Sequence, residues 1–211
     1  MTVLYAMDLF GTAVFAVSGG LLAARKRYDV FGFLVVAMAP AIGGGTLRDV
    51  ALGALPVFWV EDGNYLLVTA AAALATFFFA RFFVRYSSAL LVADAFGLAL
   101  FAVVGAQKAL ALGAAPLIAV AMGAITASGG GIVRDVLCRE EPLILRREIY
   151  ATAAILGAAL FVGMMAETGD RVAALVTGFL GALLLRLIAI RRNLSLPVYS
   201  ENAPEDADGR E

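Results

Sequence analysis

Histidine is absent from this chain of 211 residues. Its absence removes histidine metal sites, histidine-based triads and histidine proton switching. Cysteine occurs once, at Cys138, so no intrachain disulfide can form. Charge is scarce, at 16% of residues, where a soluble domain carries about 25%. A net charge of −1 leaves no basic excess for nucleic acid. No nucleophile stands beside a base, and there is no metal-ligand cluster or cofactor motif. The chain reads as a non-enzyme without a cofactor or nucleic-acid partner. No basic stretch or small-residue cleavage site opens it, so the first apolar run is expected to stay in the protein.

What is abundant is apolar surface. Hydrophobic residues make up 62% of the chain, and the mean hydropathy is +0.91. A membrane-crossing helix needs about 20 mainly apolar residues. Such runs fall at about 3–23, 30–52, 64–84, 90–112, 115–137, 148–166 and 171–190. The reading is an all-α integral membrane protein with seven transmembrane helices over residues 1–196. The acidic, proline-containing tail 197–211 is expected to be disordered.

One stretch is written twice. Gly43-Gly44-Gly45-Thr46-Leu47-Arg48-Asp49 returns 86 residues later as Gly129-Gly130-Gly131-Ile132-Val133-Arg134-Asp135. At the same offset Asp8 matches Asp94, Phe10 Phe96, Gly11 Gly97, Phe15 Phe101, Gly19 Gly105 and Pro56 Pro142. Repeat one covers about 3–84 and repeat two about 90–166, with a seventh helix at about 171–190. Three spans is an odd number and the copies are adjacent, so the second must enter the membrane from the opposite side. Such an inverted repeat is the architecture of proteins whose central site lies between the halves.

Basic residues set the orientation. With the N-terminus outside, twelve of the sixteen Lys and Arg fall on the cytoplasmic side: Arg25, Lys26, Arg27, Arg81, Arg85, Arg139, Arg146, Arg147, Arg186, Arg191, Arg192 and Arg210. Lys108 and Arg171 fall outside, and Arg48 and Arg134 lie within spans. The expectation is a multi-pass protein of the bacterial inner membrane with its C-terminus in the cytoplasm.

Glycine costs a helix about 1 kcal/mol relative to alanine, and a charge at the bilayer centre about 2.5–3.5 kcal/mol on insertion scales. Both triplets place three glycines and an Arg-Asp pair within an apolar span. The second and fifth spans are therefore expected to be broken or kinked. Unwound backbone at membrane depth survives only where it is buried or lines a watery cavity. Thr46, Thr126 and Ser128 would add hydroxyls there. The alternative is that the glycines serve close helix packing.

Depth pairs Asp8 with Arg48 and Asp94 with Arg134, each within one repeat. Asp49 and Asp135 then compete for those arginines or face a cavity, and an unpaired carboxylate in a water-filled route would favour cations. Thr12, Ser18, Thr69, Thr76 and Thr177 are read as bonding to their own helices. Lys108 is read as snorkelling from a span end, and Cys138 as an inert thiol.

At these residues the sequence resembles the bacterial branch of the trimeric intracellular cation channel family. The resemblance covers about 3–190, and its most specific parts are Gly43–Asp49, Gly129–Asp135, Asp8 and Asp94. It implies a homotrimer with a potassium-permeable pore inside each subunit and kinks at both glycine triplets. By position it places Gly43, Gly44, Gly45, Thr46, Arg48, Asp49, Ser128, Gly129, Gly130, Gly131, Arg134 and Asp135 on or near that pore, with Asp8 and Asp94 as supporting charges. The Lys-Glu-Val element that eukaryotic members link to lipid binding is missing, although membrane lipid and bound lipid remain expected partners. Related bacterial sequences are also described as glycine transporters. The two readings are thus a passive cation channel and a secondary transporter of a small amino acid such as glycine. A structural or lipid-organising membrane protein is a third, which would not need broken spans.

Overall fold

The computed structural model describes residues 2–83, 88–146 and 148–197. Arg85, Arg147, Arg210 and all of the acidic tail beyond Pro197 lie outside them. The helices are α1 (Thr2–Arg25), α2 (Val30–Ala51), α3 (Phe58–Glu61), α4 (Asn64–Phe83), α5 (Ala89–Ala111), α6 (Pro116–Leu137), α7 (Ala151–Thr168) and α8 (Arg171–Arg192). All but the single turn of α3 are long and apolar enough to cross a membrane. Among the described residues the only extended pairing is an isolated antiparallel bridge between Glu148 and Ser195.

Local chemistry sets the ends. The Asp29 carboxylate accepts from Gly32 N at the start of α2, and Asp170 accepts from Val172 N and Ala173 N at the start of α8, satisfying amides that the first turn leaves open. Pro116 opens α6, where its missing N–H is no loss. The start of α7 is at Ala151, not 148. Glu148 and Ile149 are held instead by Arg186 of α8.

The duplication is exact enough to see in single hydrogen bonds. After α1, Tyr28 N donates to Ala23 O; after α5, Ala114 N donates to Ala109 O. After α2, Ala54 N donates to Asp49 O; after α6, Glu140 N donates to Asp135 O. Each pair is related by the 86-residue offset. At these turns Arg27 matches Gly113 and Gly53 matches Arg139, and all four have positive φ.

The repeats meet by exchange. A Cβ on Gly11 would lie 3.3 Å from the Phe101 ring, and one on Gly97 would strike the Phe15 ring. The two rings stack with centroids 5.2 Å apart. Residue i of one copy thus meets residue j of the other, and j meets i, as a two-fold axis requires. Buried α5 packs against α1, α6, α7 and α8, while α2 packs on α6. The fold is two inverted three-helix repeats with α8 lying on α5 and α7.

Both triplet-bearing helices run as single helices through their glycines. The unwound backbone expected from the sequence is not what they form, because neighbouring helices support the glycines from the side. Pro40 removes one rung from the hydrogen-bond ladder of α2.

Candidate functional site

The two triplets meet at the α2–α6 crossing. A Cβ on Gly44 would fall on the Thr126 carbonyl oxygen, and one on Gly130 would lie 2.6 Å from the Pro40 carbonyl oxygen. Gly43 faces the Gly130 Cα at 3.5 Å, and Gly129 faces the Gly44 Cα at 3.6 Å by the same construction. Only residues without side chains permit backbones this close. Gly45 and Gly131 point away from the crossing, toward Phe58 and Tyr150 respectively. The hydroxyls expected to serve a route are engaged by their own helices: Thr46 donates to Ile42 O, Thr126 to Met122 O and Ser128 to Ala124 O. Thr46 also accepts from Trp59 Nε1 at 3.0 Å.

A charge cluster flanks each side of the crossing. In the first repeat Arg48 Nε donates to Asp49 Oδ1 at 2.8 Å, and Lys108 Nζ reaches the same oxygen at 2.8 Å. Asp49 Oδ2 accepts from Phe58 N at 3.0 Å and from Lys108 at 2.9 Å. The Phe58 ring lies beneath both cations, with Arg48 at 5.8 Å and Lys108 at 5.9 Å from its centroid. Two expectations are corrected here. Asp8 does not pair with Arg48, since Asp8 accepts from the Tyr65 hydroxyl at 2.9 Å and Arg48 turns to its own neighbour. Lys108 does not snorkel away; it crosses from repeat two to a carboxylate with no solvent exposure.

The second repeat makes the pairing that depth suggests. Arg134 Nη1 donates to Asp94 Oδ1 at 2.6 Å, and its Nε to Asp135 Oδ1 at 2.8 Å. The same Nη1 donates to Ser18 Oγ, so Ser18 serves the other repeat rather than its own helix. Thr12, Thr69 and Thr76 do bond to carbonyls of their own turns. Asp135 Oδ2 accepts from Leu143 N at 3.1 Å, as Asp49 does from Phe58 N.

The clusters differ in charge. Asp8 and Asp49 are balanced by Arg48 and Lys108, whereas among the described residues the ion pairs given for Asp94 and Asp135 are both with Arg134. The counterpart of Lys108 is Leu22, and Leu22 and Asp135 line one cavity of about 390 Å³ with Arg25, Lys26, Leu90, Leu91, Glu140, Leu143 and Arg146. Asp135 is thus a buried carboxylate that lines a cavity. At the rim Lys26 binds Glu140 at 2.6 Å. That contact holds the Glu140 carboxyl below its usual range and the Lys26 ammonium above its own. Burial pushes the Cys138 thiol up, which keeps it in its unreactive form.

Sequence reasoning missed Lys108, Tyr65, Phe58, Ser18, Tyr150 and Arg186 as members of these clusters. A one-residue slip hid several. Phe58 N matches Leu143 N, and Tyr65 beside Asp8 matches Tyr150 beside Asp94, at an offset of 85 rather than 86. Arg186, read as a cytoplasmic cation, is fully buried within α8. It binds Glu148 and the Ile149 carbonyl and lies 5.1 Å from the Tyr150 ring centroid.

Comparison with known proteins places this geometry. A family model described as "Glycine transporter" matches residues 5–81 and 91–166. The chain is 50% identical to the UPF0126 membrane protein of Vibrio cholerae, across 94% of this chain and 84% of that one. It is 47% identical to the UPF0126 inner membrane protein YadS of Escherichia coli K12, across 93% and 96%. Among solved structures, the TRIC trimeric intracellular cation channel orthologue from Rhodobacter sphaeroides is 49% identical, with a TM-score of 0.88 over 92% of this chain and all of that one. A second TRIC structure, described as a basis for conductance, is 37% identical with a TM-score of 0.84 over 94% and 98%. The inverted repeats, the crossed glycine triplets and these likenesses agree, and the chain belongs to the trimeric intracellular cation channel family.

Proposed function

We propose that this protein is a passive cation channel that conducts potassium and works as a homotrimer. The observation that carries the reading is its likeness in sequence and fold, over nearly its whole length, to solved channels described as trimeric and cation-conducting. The route in each subunit lies between α2 and α6. The residues that border it are Gly43, Gly44, Gly45, Thr46, Arg48 and Asp49 from α2, with Ser128, Gly129, Gly130, Gly131, Arg134 and Asp135 from α6; Asp8 and Asp94 support them. Backbone contact closes the crossing in this conformation, so conduction requires α2 and α6 to part there. Asp135 and Glu140 offset the Arg25, Lys26 and Arg146 cations of the cavity at one end, which lowers its barrier to cations, while Lys108 neutralises Asp49 at the other. The protein sits in the inner membrane of its cell with the C-terminus cytoplasmic. In support, Lys26, Arg27, Arg81, Arg139, Arg146, Arg191 and Arg192 cluster at one end of the helices. Membrane lipid surrounds it, and no cofactor takes part.

The second reading is a transporter of a small amino acid such as glycine, favoured by the description of the matching family model. Planar-bilayer recording of the purified protein under a potassium chloride gradient separates the two. Unitary steps that reverse near the potassium equilibrium potential support the channel. Silent bilayers together with glycine uptake into liposomes would replace it with the carrier.

A further inference from the structure

The helices that cross at the glycines are also tied at one end. Lys26 stands just before α2 and Glu140 just after α6. Lys26 Nζ lies 2.6 Å from Glu140 Oε1, so the pair joins the start of α2 to the end of α6, and one repeat to the other. Both residues line the cavity of about 390 Å³ that Asp135 also lines, and a bond between two walls of a cavity spans it. Each end is anchored by its backbone: Lys26 N donates to Leu22 O at 3.1 Å, and Glu140 N to Asp135 O at 2.9 Å. Arg146 approaches Glu140 at 3.8 Å, but it follows Glu140 in the same loop and does not bridge the repeats.

At the opposite ends of α2 and α6 the same positions are apolar. At the 86-residue offset Lys26 becomes Leu112 and Glu140 becomes Ala54. The backbone bonds are repeated there, Leu112 N to Lys108 O and Ala54 N to Asp49 O. The turns therefore form without the charges, and the ion pair is an addition to one end only. We infer that Lys26 and Glu140 form a latch that holds α2 against α6 at the Asp135 end of the route and must release before ions pass. The inference deepens the channel reading and rests on it. Both side chains are about one third exposed, so solvent weakens their attraction. That suits a contact that opens and closes, whereas parting a buried pair is strongly destabilising. Lys108 and Asp49 are the contrast, since that carboxylate has no exposure.

The test is the ratio of open to closed time in planar bilayers for Lys26→Met and Glu140→Gln. Loss of the latch should raise the ratio in both, by up to about fivefold for a partly exposed pair. A change in cavity potential alone would move the two in opposite directions, because one variant removes a cation and the other an anion. Lys26→Glu combined with Glu140→Lys remakes the pair and should return the ratio toward wild type. Opposite shifts, or no shift in either single variant, would overturn the latch. Silent wild-type bilayers would instead remove the channel reading, and Cys138 then judges the latch without any current. That thiol is buried in the apolar cluster that includes Leu22 and Leu90 of the cavity wall. Faster reaction with a water-soluble maleimide in both single variants, reversed in the exchanged pair, would support a latch between α2 and α6; equal rates would overturn it.

Discussion

Gly44 and Thr126 touch where no side chain could stand: the Cβ that Gly44 lacks would lie 2.0 Å from the Thr126 carbonyl oxygen. Gly130, the counterpart of Gly44, stands in the same relation to Pro40, the counterpart of Thr126. One contact is therefore made twice, and the α2–α6 crossing depends on both. Overpacking a closely packed interior costs about 1–3 kcal/mol. Gly44→Ala and Gly130→Ala should each lower thermal stability in detergent by that order. Gly163→Ala, on α7 with nothing within 4 Å of the added carbon, should not. Equal melting temperatures for all three would mean that the helices can part at no cost.

Lys108 and Asp49 couple the repeats by charge. Lys108 is about one third exposed and Asp49 fully buried, so solvent screens only part of the attraction. Lys108→Met should destabilise the fold, and the loss should shrink when Asp49→Asn is already present. The coupling expected from a double-mutant cycle is about 0.5–1 kcal/mol. Strict additivity would show that Arg48 and the Phe58 amide alone satisfy Asp49.

Much of this was legible in the sequence, for identifiable reasons. The seven spans were visible because a bilayer demands long apolar runs, and the duplication because its copies align without a gap as far as Pro56 and Pro142. Asp94 with Arg134 could be paired from depth alone. Asp8 with Arg48 could not, because depth carries no knowledge of Tyr65 or of a lysine arriving from the other repeat. Single-turn α3 is too short to leave a periodic signal, yet it delivers Phe58 to Asp49. Arg186 looked like one more positive-inside charge because burial of an arginine depends on a partner, Glu148, that lies in a loop 38 residues away.

The turns offer a test of the duplication itself. Arg27 and Arg139 hold positive φ at positions where the other copy has Gly113 and Gly53. A left-handed conformation costs a residue bearing a side chain about 1–2 kcal/mol, and glycine little. Arg139→Gly should raise stability by about 0.5–1 kcal/mol after glycine's larger unfolded-state entropy is counted. Gly53→Arg should lower it. A loss in Arg139→Gly would mean that the side chain, not the backbone, governs that turn.

Asp135 carries the selectivity prediction, because it joins burial to access. It is hydrogen-bonded to Arg134 and to the Leu143 amide, yet it lines the cavity between α1 and α6. Asp135→Asn keeps the shape and removes the charge, leaving one acceptor oxygen where the carboxylate serves both Arg134 and the Leu143 amide. Of the charges lining the cavity, Glu140 would then be the one carboxylate left against Arg25, Lys26 and Arg146, and the lining would become more positive. An ideally cation-selective pore reverses near 59 mV in magnitude under a tenfold potassium chloride gradient, the roughly 59 mV per decade of a single charge. Asp135→Asn should move that reversal toward zero and lower the unitary current. Asp49→Asn, with Lys108 beside it, should change selectivity less. If Asp135→Asn reverses where the wild type does, cations are selected somewhere other than this cavity, and the buried carboxylate serves only to hold Arg134 against α5.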